Sequence, residues 1–197
     1  MKPWIWVGIA AVTLGMGVTG CTVTRAGYGT AAHTVVRTDG KFEVRDYAPL
    51  RLAETSMGRD ENGGFSRLFD FISGKNAASQ KIAMTTPVLM ERGSGSQSGS
   101  MAFVLPQDLQ SPPTPSQTNV WVRELPGGRF AVHRFAAPRP DPKREGAAAT
   151  TLRTWMEQEN LSPTGEPIFA YFDPPWIPRW FRRNEVMLRV VSPTPAP

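Results

Sequence analysis

The chain predicts an α+β fold: two β-α-β-β units related by a pseudo-twofold, arranged as a distorted open barrel or as paired antiparallel sheets carrying two helices. Two observations point there. Helix-period apolar patterns occur only around residues 65–73 and 148–156, among short β-prone segments. The second half also repeats the first, Gly128-Arg129-Phe130-Ala131-Val132-His133-Arg134-Phe135-Ala136 aligning with Gly40-Lys41-Phe42-Glu43-Val44-Arg45-Asp46-Tyr47-Ala48.

Residues 1–20 read as a targeting segment rather than as part of the fold. Lys2 supplies the positive start, and residues 5–18 form an uncharged, mostly apolar run too short to span a bilayer comfortably. The run ends in Val18-Thr19-Gly20-Cys21, which resembles a bacterial lipobox. That resemblance implies diacylation of Cys21, cleavage before it, and a multiply acylated membrane anchor. With Thr22 rather than an aspartate following, it implies sorting to the outer membrane of a bacterial cell envelope, facing the periplasm. Cys21 is the only cysteine, so an intramolecular disulfide is excluded and the core must hold the fold. Residues 21–33 then read as a lipidated tether, 34–191 as the folded domain and 192–197 as a proline-rich tail.

Residues 34–55 read as two strands. Phe42 and Val44 share one face, Arg45 and Tyr47 the other, and Ala48-Pro49 makes the turn. Residues 59–64 read as a charged, glycine-bearing loop. In the helix over 65–73, Phe65, Leu68, Phe69 and Ile72 fall at i, i+3, i+4 and i+7, and Gly74 follows as the C′ cap. Phe71 lies just off that stripe, so the apolar surface is wider than a short helix needs. Part of it either packs in the core or faces a cleft. Lys81-Ile82-Ala83-Met84-Thr85-Thr86-Pro87-Val88 reads as a buried strand with an edge or bulge at the proline. Residues 91–100 are a Gly/Ser-rich hairpin loop, 101–105 the returning strand and 107–119 a proline-rich crossing. In the second helix Ala148, Leu152, Trp155 and Met156 line one face, with Asn160 and Pro163 as stops. Strands around 168–172 and 186–191 complete the repeat.

Without the targeting segment the chain carries 21 basic and 17 acidic residues, an excess of +4. That suits an anionic ligand or lipid surface. No basic run of five or six residues occurs, so nucleic acid is not suggested. There is no G-x-S-x-G elbow, no second cysteine and no zinc-spaced cluster, and Asp60 and Glu61 read as solvated acids; no catalytic constellation is legible. His33 and His133 are the only histidines and weak candidates for a metal ligand. By the period-two rule His133 points away from the face of Phe130 and Val132, into solvent. His33 sits at the end of the tether.

Residues 173–184 are the most unusual stretch. Pro174, Pro175 and Pro178 forbid regular structure, Trp176, Trp180 and Phe181 bring flat apolar area, and Arg179, Arg182 and Arg183 bring positive charge. Such a loop either plugs the end of a small barrel or meets a planar macrocycle with carboxylate arms.

Four blocks in this order carry a family resemblance. They are Lys41-Phe42-Glu43-Val44-Arg45-Asp46-Tyr47-Ala48-Pro49, Gly63-Gly64-Phe65-Ser66-Arg67-Leu68-Phe69-Asp70-Phe71-Ile72-Ser73-Gly74-Lys75-Asn76, the Lys81 to Val88 stretch, and residues 171–186 with their Pro/Trp/Arg loop. Across roughly residues 33–191 the chain resembles the SOUL/heme-binding protein family. The resemblance implies non-covalent binding of heme or another tetrapyrrole in an open apolar cleft bordered by the first helix and the late loop. Phe65, Leu68, Phe69 and Ile72 would then form the apolar floor, Trp176, Trp180 and Phe181 would stack, and Arg67, Lys75, Arg179 and Arg182 would meet the propionates. Asp70 stands where some relatives carry a lysine. The expected function is membrane-anchored tetrapyrrole binding, in heme binding or transport, without catalysis. The alternatives are an effector- or lipid/amphiphile-binding module using the same cleft, and an enzyme acting on tetrapyrroles.

Overall fold

In the computed structural model, the described residues are 28–57, 61–93, 98–137, 140–173, 177–178 and 181–191. The targeting segment, Cys21 and the proline-rich tail lie outside them. The strands are β1 (Gly29–Thr30), β2 (His33–Asp39), β3 (Phe42–Tyr47), β4 (Leu50–Ser56), β5 (Thr85–Thr86), β6 (Val88–Glu91), β7 (Ser100–Val104), β8 (Val120–Leu125), β9 (Gly128–Phe135), β10 (Pro163–Tyr171) and β11 (Asn184–Val190). Helix α1 spans Glu61–Ile72 and α2 spans Pro142–Gln158.

Nine strands form one antiparallel sheet in the order β2-β3-β9-β11-β10-β6-β7-β4-β8, not closed into a barrel. Ala48-Pro49 and Pro126-Gly127 each join strands that lie apart in this order, so the sheet curls its ends together. Laying β3-β4-α1-β6-β7 on β8-β9-α2-β10-β11 makes the order read alike from both ends, about a centre between β10 and β6. The pseudo-twofold is therefore real, but each unit is strand-strand-helix-strand-strand. The position equivalent to β9 is β4, not β3. The sequence alignment of 128–136 with 40–48 instead matched two neighbours that pair directly, Phe42 opposite His133 and Val44 opposite Ala131.

That pairing places Phe42, Val44, Ala131 and His133 on one face, and Arg45, Tyr47, Phe130 and Val132 on the other. Both faces are buried. The outer one packs under the helices around Leu68, Phe71, Leu152, Met156, Phe169 and Leu188. The inner one, within the curl, gathers Leu50, Leu52, Phe130, Val132, Ile168 and Met187. With two covered faces, strand alternation alone does not say which side is solvent.

Helix α1 begins at Glu61, so residues 61–64 of the expected loop over 59–64 are helix. Its Gly64 faces Thr55 and Met101 of the sheet, where a Cβ would meet them at an ordinary contact distance of 3.7 and 3.8 Å. It ends in a Schellman motif: Lys75 N–H donates to Asp70 O at 3.0 Å, Gly74 N–H to Phe71 O at 3.4 Å, and Gly74 holds φ +108°. In α2, Asp141 caps by accepting from Lys143 and Arg144 N–H, and Pro142 follows it. The helix stops before Asn160, at φ 57°.

Three segments depart from the sequence reading. Residues 81–84 are not strand; Thr85-Thr86 is a two-residue strand ending at a cis Thr86-Pro87 bond, and β6 starts only at Val88. Within residues 81–84, Ile82 N–H donates to Ile72 O at 2.8 Å, at the end of α1, and Asn76 shapes the turn before, its side chain donating to Phe71 O and Gln80 O and accepting from Ala78 and Gln80 N–H. The tether ends earlier than residue 33: Gly29–Thr30 pairs in parallel with Thr85–Thr86, Ala31 is buried, and His33 opens β2. Strands β10 and β11 also start earlier, at Pro163 and Asn184, with a bulge between Thr164 and Ile168.

Candidate ligand site on the first helix

The expected apolar stripe splits when α1 meets the sheet. Phe71 takes a core position beside Leu68, which is 0% exposed, and Ile72, also buried. The buried face is thus turned toward Phe71, and Phe65 and Phe69 stand on its outer shoulder, 42% and 50% exposed. Leu68 and Ile72 are core side chains, a correction to their expected place in a ligand floor; that floor reduces to the two phenylalanines. Their rings lie 6.2 Å apart at 12°, and Phe65 packs edge-on against Phe103 at 5.1 Å. Two large rings held side by side in solvent are an unusual use of apolar area on a helix.

The cations expected around them are engaged. Arg67 donates to Thr55 Oγ1 at 3.0 Å and Ser56 O at 2.8 Å, tying α1 to β4. Lys75 pairs with Asp70 at 2.9 Å, both well exposed, so this pair adds little to stability and remains available for exchange.

Of the late loop, Trp176, Arg179 and Trp180 lie outside the described residues. Phe181 is 55% exposed and its N–H donates to Pro178 O at 2.9 Å. Arg182 Nε donates to Ile177 O at 2.8 Å, and Ile177 is buried. The neck of the loop is cinched by Arg183, whose backbone N–H donates to the Asp173 carboxylate. The Arg183 guanidinium lies 4.2 Å over Phe172 and donates to Glu185 at 2.8 Å.

Sequence reasoning missed the cluster behind that neck. Glu185, fully buried, takes Arg45 in a two-pronged contact at 2.6 and 3.1 Å, and Arg45 Nε also donates to Glu43 at 2.7 Å. Burial pushes the Glu185 carboxyl up, but hydrogen bonds and charge from Arg45 and Arg183 outweigh it and hold the group below its ordinary value. Burial likewise raises the Tyr47 phenol. A strand alternation read as one dry face and one wet face hides such a cluster.

Neither histidine stands at the phenylalanine pair. His133 is not the solvated outward group that the alignment implied. Its ring stacks on Phe42 at 4.5 Å, and Phe42 stacks in turn on Trp155 at 4.9 Å. Its Nδ1 is buried without a hydrogen-bond partner, and burial lowers its pKa, against a backbone hydrogen bond at Lys41 that raises it. The error followed from taking the face opposite Phe130 and Val132 as solvent, when both faces of β9 are covered. His33 lies on the other sheet face, its Nδ1 3.1 Å from Ala31 O and its ring 5.0 Å from Tyr47. Among the described residues no group of three or more His, Cys, Asp or Glu side chains is placed to hold a metal ion.

The family model for SOUL heme-binding proteins matches residues 28–189. Heme-binding protein 2 of Homo sapiens and its counterpart in Mus musculus are each 33% identical over 96 residues, covering 43% of this chain and 47% of the relative. The match therefore spans about half the length of those relatives. The crystal structure of the EcmrR C-terminal domain superposes with a TM-score of 0.57 at 10% identity, covering 77% of this chain and 97% of that one. A structure described as a hydrolase from Listeria innocua superposes with a TM-score of 0.56 at 10% identity, over 79% and 94%. At these identities the likeness shows the fold alone. SOUL heme-binding proteins are binding proteins, not enzymes. With its sheet, its two helices and nearly all of its described length inside the matched region, the chain belongs to the SOUL heme-binding protein family.

Proposed function

We propose that this protein is a lipid-anchored, periplasm-facing binder of heme or a related tetrapyrrole, serving heme binding or transport, with Phe65 and Phe69 as the floor of an open site and residues 173–184 as its border. The observation that carries the reading is the pair of exposed, near-parallel rings stacked on α1. Leu68, Phe71 and Ile72 fill the core under the helix, Phe65 touches it only by its edge against Phe103, and Phe69 is half exposed. Flat apolar area of this kind matches a macrocycle face.

The residues fit the porphyrin by contact rather than by coordination. His133 stacks on Phe42, half-buried with its Nδ1 enclosed, and His33 belongs to the inner sheet face. Heme would bring its own iron chemistry; the chain contributes the apolar floor, exclusion of water beneath it, and cations at the rim. Lys75 is the rim cation free to exchange its exposed partner Asp70 for a propionate. Binding without a strong axial ligand implies moderate affinity, about micromolar.

The test is a hemin titration of the full chain in lipid nanodiscs, read as the Soret shift against empty nanodiscs. Phe69→Ala should weaken binding by about 1–3 kcal/mol, while His133→Ala should change it little. Loss of the shift in His133→Ala with normal binding in Phe69→Ala would overturn the contact model. No shift in the parent leaves the same site to another amphiphile. The anchor is tested separately: Cys21→Ser should be mis-processed and released from the membrane fraction, and a variant that fractionates like the parent refutes lipidation.

A further inference from the structure

The inner face of the sheet holds a cavity of about 330 Å³, on the side away from the helices and hence away from Phe65 and Phe69. Leu125, Phe130 and Ile168 give it an apolar wall, and Arg123, Arg189, Glu91 and Glu166 give it charged groups. The two arginines differ in state. Arg123 is neutralised, donating to Glu54 through two nitrogens and to Glu91 at 2.9 Å. Arg189 has no carboxylate partner among the described residues. It is nonetheless fixed: its Nη1 donates to Gly127 O at 2.9 Å, its Nη2 to Pro126 O at 2.5 Å, and its guanidinium lies 4.6 Å over Phe130.

The backbone is shaped around this group. A Cβ at Gly128 would stand 2.3 Å from Arg189 Nη1, so only glycine leaves the guanidinium its seat. Two carbonyls use one donor on each terminal nitrogen, and a guanidinium has five. The remaining donors form a pre-oriented, half-buried positive fork beside an apolar wall. Its complement is a carboxylate. Glu166 is exposed on the rim, where water screens it. At the low end of ligand-site volumes, about 300–1,000 Å³, the cavity takes a small molecule and not a macrocycle.

We propose that this cavity is a second ligand site, independent of the tetrapyrrole site, that binds a small carboxylate with an apolar body, the carboxylate on Arg189 and the body against Leu125, Phe130 and Ile168.

The experiment uses the full chain in phosphatidylcholine nanodiscs, with 4-(trifluoromethyl)phenylacetate as probe and fluorine NMR as readout, against empty nanodiscs. Saturable binding is expected, weakened at least about tenfold by Arg189→Met and at least about tenfold when the probe is the neutral amide. Arg189→Lys keeps the charge but not the fork and should fall between. Absence of saturable binding up to about 10 mM overturns the proposal. So does equal affinity for acid and amide, or unchanged affinity in a folded Arg189→Met variant. If that variant does not fold, the comparison of acid with amide in the parent decides alone.

Discussion

Removing the Glu185 carboxylate isolates what the buried cluster contributes. In Glu185→Ala, Arg45 remains 1% exposed and loses both of its contacts to that carboxylate. Breaking a buried ion pair by deleting one partner costs about 3–5 kcal/mol, because the other charge stays behind without compensation. Here the low end applies. Glu43 still accepts from Arg45 Nε, while Arg183 and Arg134, 32% and 52% exposed in their side chains, regain water. The expected loss is therefore about 3 kcal/mol, a large part of the ~5–15 kcal/mol that holds a domain together. Replacing both partners, Arg45→Met with Glu185→Leu, should recover most of it, since the pair then leaves no orphan. Urea unfolding followed by tryptophan fluorescence measures both, with a midpoint shift of about 1–3 M for the single variant. A loss below about 1 kcal/mol in Glu185→Ala, or a double variant no better than the single one, refutes the account. The pH dependence has a definite sign. The Glu185 carboxyl is held below its ordinary value near 4.5, so its contribution is full above that pH and is lost as the pH falls through the lowered folded value.

Two further outcomes follow from burial. Leu68→Ala and Ile72→Ala should each cost about 2–5 kcal/mol, whereas Phe69→Ala, half exposed, should cost under about 1 kcal/mol; denaturation midpoints check the contrast, and equal losses would mean the helix face is misassigned. His133, held by burial below the ordinary histidine value of 6.5, lets the unfolded chain take up a proton first, so stability is full above about pH 6.5 and declines on acidification. His133→Leu should flatten that decline between about pH 6.5 and 5, and identical pH slopes in parent and variant would refute the role assigned to the orphaned Nδ1.

How far the sequence was legible depended on how many faces an element buries. Helix α2 has one covered face, and Ala148, Leu152, Trp155 and Met156 named it correctly. Its cap at Asp141 was legible in principle from Asp-Pro and was overlooked. The α1 stripe was right as a surface and wrong in rotation, because the buried face runs through Phe71 with Leu68 and Ile72 and leaves Phe65 and Phe69 at its side. Strands β3 and β9 bury both faces, so period two located neither His133 nor Arg45. The same ambiguity produced the false equivalence of β9 with β3. The Lys81 to Val88 stretch has strand composition, but its start is held against the end of α1, where Ile82 N–H donates to Ile72 O. Composition carries no trace of that contact.

The duplicated frame suggests why sites arise where they do. Two helices cover equivalent halves of one sheet, yet they end differently. No large apolar side chain of α2 is exposed; its outer side carries Lys143, Gly146, Ala147, Thr150, Thr151 and Thr154. On α1 the corresponding side carries Phe65 and Phe69. The inner face repeats the contrast. Around Arg45, which pairs across from Phe130, the space is filled by Glu43, Glu185, Arg183 and Tyr47. Arg123 occupies the equivalent position, across from Leu52, and there the face stays open beside Arg189. A pseudo-twofold places each feature twice, and the sequence then closes one copy with a satisfied core or ion pair. The copy left open keeps apolar or charged groups that the fold does not consume. Stability constrains the closed copies, so substitutions there should lower unfolding free energy. A substitution at the half-exposed Phe69 should lower it little and alter mainly what the protein binds.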